Sequence, residues 1–272
     1  MKIYLIIILT IVTSYTQAQR KRKAIAQGDT LALYKTLVHK SSQLQQLPLY
    51  LEMELVKSTN FITAEEDTMR MQATFYLKPG ISYVQFGDAE QLVNDSLALL
   101  VSDKLQRMIL YRNVQPLLQR MQMITGLQYT DSSIQQMAQR FSIDATTPAS
   151  IVLASRDLLY GTSLPKESQE LQYDAGSGEP VKVITLKRTL LPVSEEDYKT
   201  LREQGWAAGK LLTIAGKGQY LIREQTSSFI YRKLSHDAGM TIPVNMNDRI
   251  VQLTEGAFTP VKAYEHYAIT LN

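Results

Sequence analysis

Between residues 49 and 111 the chain repeatedly alternates one apolar and one polar side chain, a period of two that a half-buried strand requires and an amphipathic helix cannot meet. Leu49, Leu51, Met53 and Leu55 point one way, with Tyr50, Glu52, Glu54 and Val56 opposite. Met69, Met71, Ala73, Phe75 and Leu77 repeat the pattern against Arg70, Gln72, Thr74, Tyr76 and Lys78. Each strand thus carries one oily and one wetted face, as an antiparallel sheet filled on one side demands. Residues 58–68 are polar enough for a hairpin connection, and Pro79-Gly80 signals a tight turn. Residues 81–87, 90–93, 97–102 and 105–112 continue as short strands, with turns at Asn94-Asp95 and Ser102-Asp103, so this part predicts a meander.

Upstream, Asp29 or Thr30 caps a predicted helix whose positions Leu33, Tyr34, Leu37, Val38, Ser41 and Leu44 recur at three and four residues, ending before Pro48; its apolar stripe should lie on the sheet. Residues 117–124 and 132–141 read as two short helices, the second capped by Asp131 or Ser132. Residues 151–173 show weak periodicity with frequent Ser, Gly and Pro, and no element is assigned to them. A turn at 174–180 leads to a strand at 181–191, and Ser194 caps a helix that stops at Gly205. Strands at 210–215, 219–224, 228–234, 250–254 and 262–271 follow, broken by Gly216-Lys217-Gly218, Asp237-Ala-Gly239 and Glu255-Gly256. Strands early and late, with helices at the start and middle, predict an α+β fold: one large curved antiparallel sheet, or two sheet halves, with helices against one face. No linker composition interrupts the chain, so residues 19–272 are expected to form a single domain.

The first residues set the compartment. Lys2 supplies a basic start, residues 3–12 are almost wholly apolar, and Thr16-Gln17-Ala18 offers small residues for cleavage, so residues 1–18 read as an export signal cut after Ala18. The rival is an N-terminal membrane anchor, but an apolar run of residues 3–15 falls short of the ~20 a spanning helix needs. The basic cluster Arg20 to Lys23 opposes translocation; the short core and the cleavage tripeptide outweigh it. An exported, periplasmic protein is expected, with no stable membrane span after cleavage.

Of the 272 residues, 44% are hydrophobic and 20% charged, which suits a globular chain rather than a disordered one. The net charge of +3 owes itself to that basic cluster, so nucleic acid is not an expected partner. Without any cysteine, disulfides, thiolate metal sites and a cysteine nucleophile are excluded.

Candidate catalytic chemistry is sparse. His39, His236 and His266 share no metal-binding spacing, and there is no Gly-x-Ser-x-Gly. Gly205-Trp-Ala-Ala-Gly209-Lys210 has three residues between its glycines where a phosphate loop needs four, and Leu211 stands where the magnesium-holding hydroxyl belongs. Glu195-Glu196-Asp197 reads as dipole-complementing charge in a helix's first turn. No acid, base and oxyanion donor assemble, so neither an enzymatic activity nor a metal or cofactor is expected. The remaining signal is methionine: Met53, Met69 and Met71 fall on the apolar strand faces, where their flexible side chains suit irregular apolar partners. The plain reading is a core under helices; the sharper one is a cleft for an acyl chain. The fifteen Tyr fit strands with their hydroxyls at the wet edge.

The order of export signal, amphipathic helix, long first strand at 49–57 and the meander through "FYLKPGISYVQFGDAEQLVNDSLALLVSDKLQRMILYRN" resembles the periplasmic outer-membrane lipoprotein carrier superfamily, the LolA-like proteins. The closing "IPVNMNDRIVQLTEGAFTPVKAYEHYAITLN" is similar to the last strands of exported Bacteroidetes-type relatives. The resemblance implies an unclosed β half-barrel with helices packed on its concave face, sheltering lipid acyl chains or lipoproteins in the periplasm without catalysis. On that basis Leu51, Met53, Leu55, Met69, Met71, Ala73, Phe75 and Leu77 would line the apolar cleft. No motif matches the family's cleft arginine or lid prolines, so neither is carried over. The alternative is a cell-envelope structural or protein-interaction module with no cargo, its sheet face filled by its own helices.

Overall fold

Two neighbouring strands, β1 (Leu49–Thr59) and β2 (Met69–Lys78), pair so that Leu49 faces Leu77, Leu51 faces Phe75, Met53 faces Ala73 and Leu55 faces Met71. The odd positions of both strands therefore lie on one side. The structure, a computed structural model, describes residues 28–42, 46–114, 131–147, 149–206, 208–254 and 256–272. The meander continues through β3 (Ile81–Phe86), β4 (Ala89–Val93), β5 (Ala98–Ser102) and β6 (Arg107–Tyr111), within a residue or two of the predicted spans. Gly80 makes the β2–β3 turn at φ +75°, and a Cβ there would collide with the Asp95 carboxylate; only glycine meets both demands.

Residues 117–124, predicted helical, lie outside the described residues, as does the apolar start of the chain. Helix α1 is described over Gly28–Ser42, so Asp29 and Thr30 sit inside it rather than capping it. Helix α2 spans Asp131–Arg140. The region from 141 to 173 holds three strands, β7 (Phe141–Thr147), β8 (Ser150–Ser155) and β9 (Glu167–Tyr173), where the sequence pattern assigned none. Each of the last two carries only two buried apolar residues, Ile151 and Leu153, Leu171 and Tyr173, too few to register as a period. Next come β10 (Pro180–Val193), helix α3 (Glu195–Glu203), β11 (Leu211–Ile214) and β12 (Gly218–Ser235). Ser194 caps α3, accepting from the Asp197 amide at 3.0 Å, and Gly205 beyond its end takes φ +81°.

Strand β12 corrects the predicted pair of strands at 219–224 and 228–234: it is a single strand of 18 residues, because Gln225, Thr226 and Ser227 are paired on both sides, to β1 and to β10. Near the end, β13 (Ile250–Gln252) and β14 (Phe258–Pro260) form a separate two-stranded ribbon, and β15 (Ala268–Leu271) closes the chain. The strand predicted over 262–271 is confined to that last piece, since Lys262–Tyr264 makes a turn of 3-10 helix.

Thirteen strands join one sheet in the order β15-β6-β5-β4-β3-β2-β1-β12-β10-β9-β8-β7, with β11 on β12. The two ends of that order do not pair, so the sheet is unclosed, and all pairs are antiparallel except β15 with β6. The fold is α+β, as predicted. Helices α1 and α2 cover β7 to β10 on one face, where Tyr34, Leu37, Ile134 and Ala138 meet Ile151, Leu153, Leu171 and Val183. The Tyr34 hydroxyl donates to the Phe141 carbonyl at 2.7 Å, which satisfies a buried polar group. The other face is covered over β3 to β6 by the C-terminal segment, Ile250, Phe258, Tyr264 and Tyr267 packing on Tyr83, Leu92, Leu99 and Leu110.

Candidate functional site

The helix-covered face of the sheet is laid out in rows across the strands. Following the register from β1 through β2 and β3, Leu51, Phe75 and Val84 make one row, and Met53, Ala73 and Phe86 the next. Phe75 and Phe86 meet edge to face at 5.2 Å between centroids. On the other side of β1 the wall continues into β12 with Leu234, Tyr231 and Phe229. This needs a break in the alternation: Glu52 pairs with Lys233 but Met53 with Tyr231, leaving Arg232 as an extra residue. The bulge turns both Leu234 and Tyr231 onto the apolar face, which a regular strand would have split between the two sides.

All eight residues singled out from the sequence share this face. Leu51, Met53, Leu55, Ala73, Phe75 and Leu77 are buried, each less than a tenth exposed. Met69 and Met71 are half-buried, since the β2–β3 pairing begins only at Ala73. Burial, with Tyr173 nearby, pushes the Tyr231 hydroxyl up to about 12.

The same face changes character along the strands. Its last apolar row is Leu55, Phe229, Val183 and Leu171; two residues further on stand Lys57, Ser227, Thr185 and Gln169. The row after that holds Thr59, Gln225, Lys187 and Glu167. Beyond them the face turns apolar again at Leu191, Leu221 and Leu211, which pack with Leu201 of α3 and with Phe61 and Trp206. A cavity of about 260 Å³ opens over the polar rows, lined by both lysines, Glu167 and the acidic turn at Glu66 and Asp67. Asp67 accepts from the Thr63 amide at 2.6 Å and the Ala64 amide at 2.9 Å and pairs with Arg223. These contacts, the Thr63 amide foremost, hold its carboxyl at about 2. Pattern reading missed this pocket: Lys57 continues an apolar alternation, and residues 225–227 resemble a loop. Only the register brings the rows together.

The opposite face carries ion clusters instead. Glu54 is buried between Arg232 of the bulge, at 2.6 Å, and Arg70 of β2, and the hydrogen bond from Arg232, then that from Arg70, lowers its pKa. Glu224 lies between Arg188, at 2.9 Å, and Lys210; burial opposes its ionisation, but the two cations outweigh it and the pKa falls.

The histidines are scattered. His39 is exposed on α1, His236 places Nδ1 2.9 Å from the Pro48 carbonyl, and His266 precedes β15 rather than lying within a strand, its ring edge-on to Tyr267. Among the described residues no three His, Asp or Glu side chains are placed to hold a metal. Trp206, inside the glycine-rich stretch, packs on Phe61 at 5.8 Å.

No family model matches the chain, and no curated protein matches it. Among solved structures it is similar to an outer membrane lipoprotein-sorting protein domain from Vibrio parahaemolyticus, at 9% identity over 81% of this chain and 95% of that one, with a TM-score of 0.26. It is also similar to a LolA superfamily protein from Nitrosomonas europaea, at 9% identity over 77% of this chain and 94% of that one, with a TM-score of 0.25. The architecture described above stands on the strand register of the chain itself.

Proposed function

We propose that this chain is a non-enzymatic, exported carrier or binding protein for lipid acyl chains or lipoproteins, working in the periplasm after loss of residues 1–18. One observation carries the reading: the rows through Leu51, Met53 and Leu55 form an unbroken apolar wall on one face of an unclosed sheet, ending at the half-buried Met69 and Met71. Each methylene buried there contributes about 0.8 kcal/mol, so a chain of modest length is held without a polar anchor. No helix among the described residues is long and apolar enough to cross a membrane.

The burial of the wall favours a second reading. Leu49, Ala73 and Met53 are already closed to solvent, as in a sheet face filled by the protein itself, and the chain would then be a cell-envelope interaction module without cargo. Mass spectrometry of organic extracts, from protein purified out of its native periplasm, separates the two. Copurifying lipid, and displacement of a fluorescent fatty acid by it, supports carriage. Clean extracts and no uptake of the fluorescent probe leave the interaction module standing.

A further inference from the structure

The polar rows stand directly beside the apolar wall on the same face of the sheet. Consecutive rows of a strand face lie about 7 Å apart, so Lys57, Ser227 and Thr185 sit one step along their strands from Leu55, Phe229 and Val183. An acyl chain on the wall would lead its polar end directly into the 260 Å³ cavity. That volume lies below the range of ~300–1,000 Å³ typical of sites for whole drug-sized ligands. It suits a headgroup.

The charges of the cavity select among headgroups. Asp67 is committed to Arg223 and to two backbone amides, so neither partner is free to recruit a ligand. Glu167 stands directly across from Lys187 in the β9–β10 register. Glu66 is exposed at the rim, where water screens it. Lys57 is left, half-buried, with no side-chain ion pair or hydrogen bond among the described residues, between Met69 and Ser227 in the register and with Thr185 one strand beyond Ser227. A half-covered ammonium beside a hydroxyl donor is an arrangement that a phosphate oxygen completes with charge-assisted hydrogen bonds.

We propose that the cavity is the headgroup subsite of an amphiphile whose acyl chain lies along Leu55 and Phe229, and that it takes a phosphate-bearing headgroup on Lys57 and the neighbouring Ser227 hydroxyl. This rests on the acyl-carrier reading and adds the class of cargo.

The test compares, on the purified full-length mature protein, a lysophospholipid with a monoacylglycerol of the same chain length, by displacement of a fluorescent fatty acid. The lysophospholipid is expected to bind about tenfold more tightly, and the ratio to fall towards one in Lys57→Gln. Lys182→Gln, on the opposite face of β10, should keep the wild-type ratio. Equal binding of the two amphiphiles to the wild type, or a ratio unmoved in Lys57→Gln, overturns the headgroup site while leaving acyl binding intact. Binding of inorganic phosphate alone as tightly as the lysophospholipid overturns it in favour of a free-phosphate site. Failure of both amphiphiles and of the fatty acid removes the carrier reading and this proposal together.

Discussion

Arg249 donates to Glu90 through two nitrogens, Nε at 2.9 Å and Nη2 at 3.1 Å, and so ties the C-terminal segment to β4 across the back of the meander. Both side chains are nearly closed to solvent, at 13% and 11% exposure. The Tyr83 hydroxyl adds a third hydrogen bond to the same carboxylate at 3.2 Å, and Arg249 lies over the Tyr264 ring at 4.9 Å. Burial works against the charge on Arg249, but the hydrogen bonds to Glu90 prevail and raise its pKa.

Arg249→Gln is expected to destabilise the protein by about 3 kcal/mol, because the Glu90 carboxylate is left buried without its partner. Loss of amide-exchange protection should concentrate in residues 250–271 and in β4. Protection unchanged there would mean that the apolar contacts of the segment hold it alone.

Leu99 is fully buried under that segment. Leu99→Ala should cost about 2–5 kcal/mol, the transfer term plus the cavity left behind. Urea denaturation reads this as a lower midpoint at constant slope; a loss under half a kcal/mol would show that the surroundings collapse into the gap.

The hydroxyl of Tyr34 ties α1 to β7. Tyr34→Phe keeps the ring in the core and removes only that hydrogen bond, so a loss of about 1 kcal/mol is expected. Faster amide exchange should appear in α1 before it appears in β10. Wild-type exchange in α1 would assign the docking to packing alone.

Asp67 gives a pH signature. Its carboxyl is lowered from 3.8 to about 2 in the folded chain, by the Thr63 amide first. The stability it contributes is therefore complete above pH 4 and lost as pH falls from there towards 2. The melting-temperature gap between wild type and Asp67→Asn should be constant from neutral pH down to about 4 and narrow below it. A gap that stays constant from neutral pH down to about 2 would show that Asp67 titrates as an ordinary carboxylate.

The legible part of the fold was the part with a local signal. Strands β1 and β2 alternate clearly, and β3 to β6 are set apart by Pro-Gly, Asn-Asp and Ser-Asp turns, so the meander is legible along the chain. Strands β7 to β9 offer two apolar side chains at most on the buried face, and their strand character comes from pairing with neighbours distant in sequence. The apolar wall was readable for the same reason as the meander, residue by residue. The pocket was not, because Lys57, Thr185 and Ser227 are ordinary polar residues on three separate strands and look like solvated surface until the strands are aligned.

Side-chain parity along the chain settled which residues face together, since successive residues of a strand must point to opposite sides whatever they pair with. The tertiary structure alone decided which strands are neighbours: β1 beside β12, 166 to 185 residues away in sequence, and the bulge at Arg232 that keeps Tyr231 and Leu234 on the apolar side. Parity is a property of one strand's backbone geometry. Adjacency is the outcome of competition among all strand edges for hydrogen bonds and of apolar rows for one another, a comparison no single segment contains.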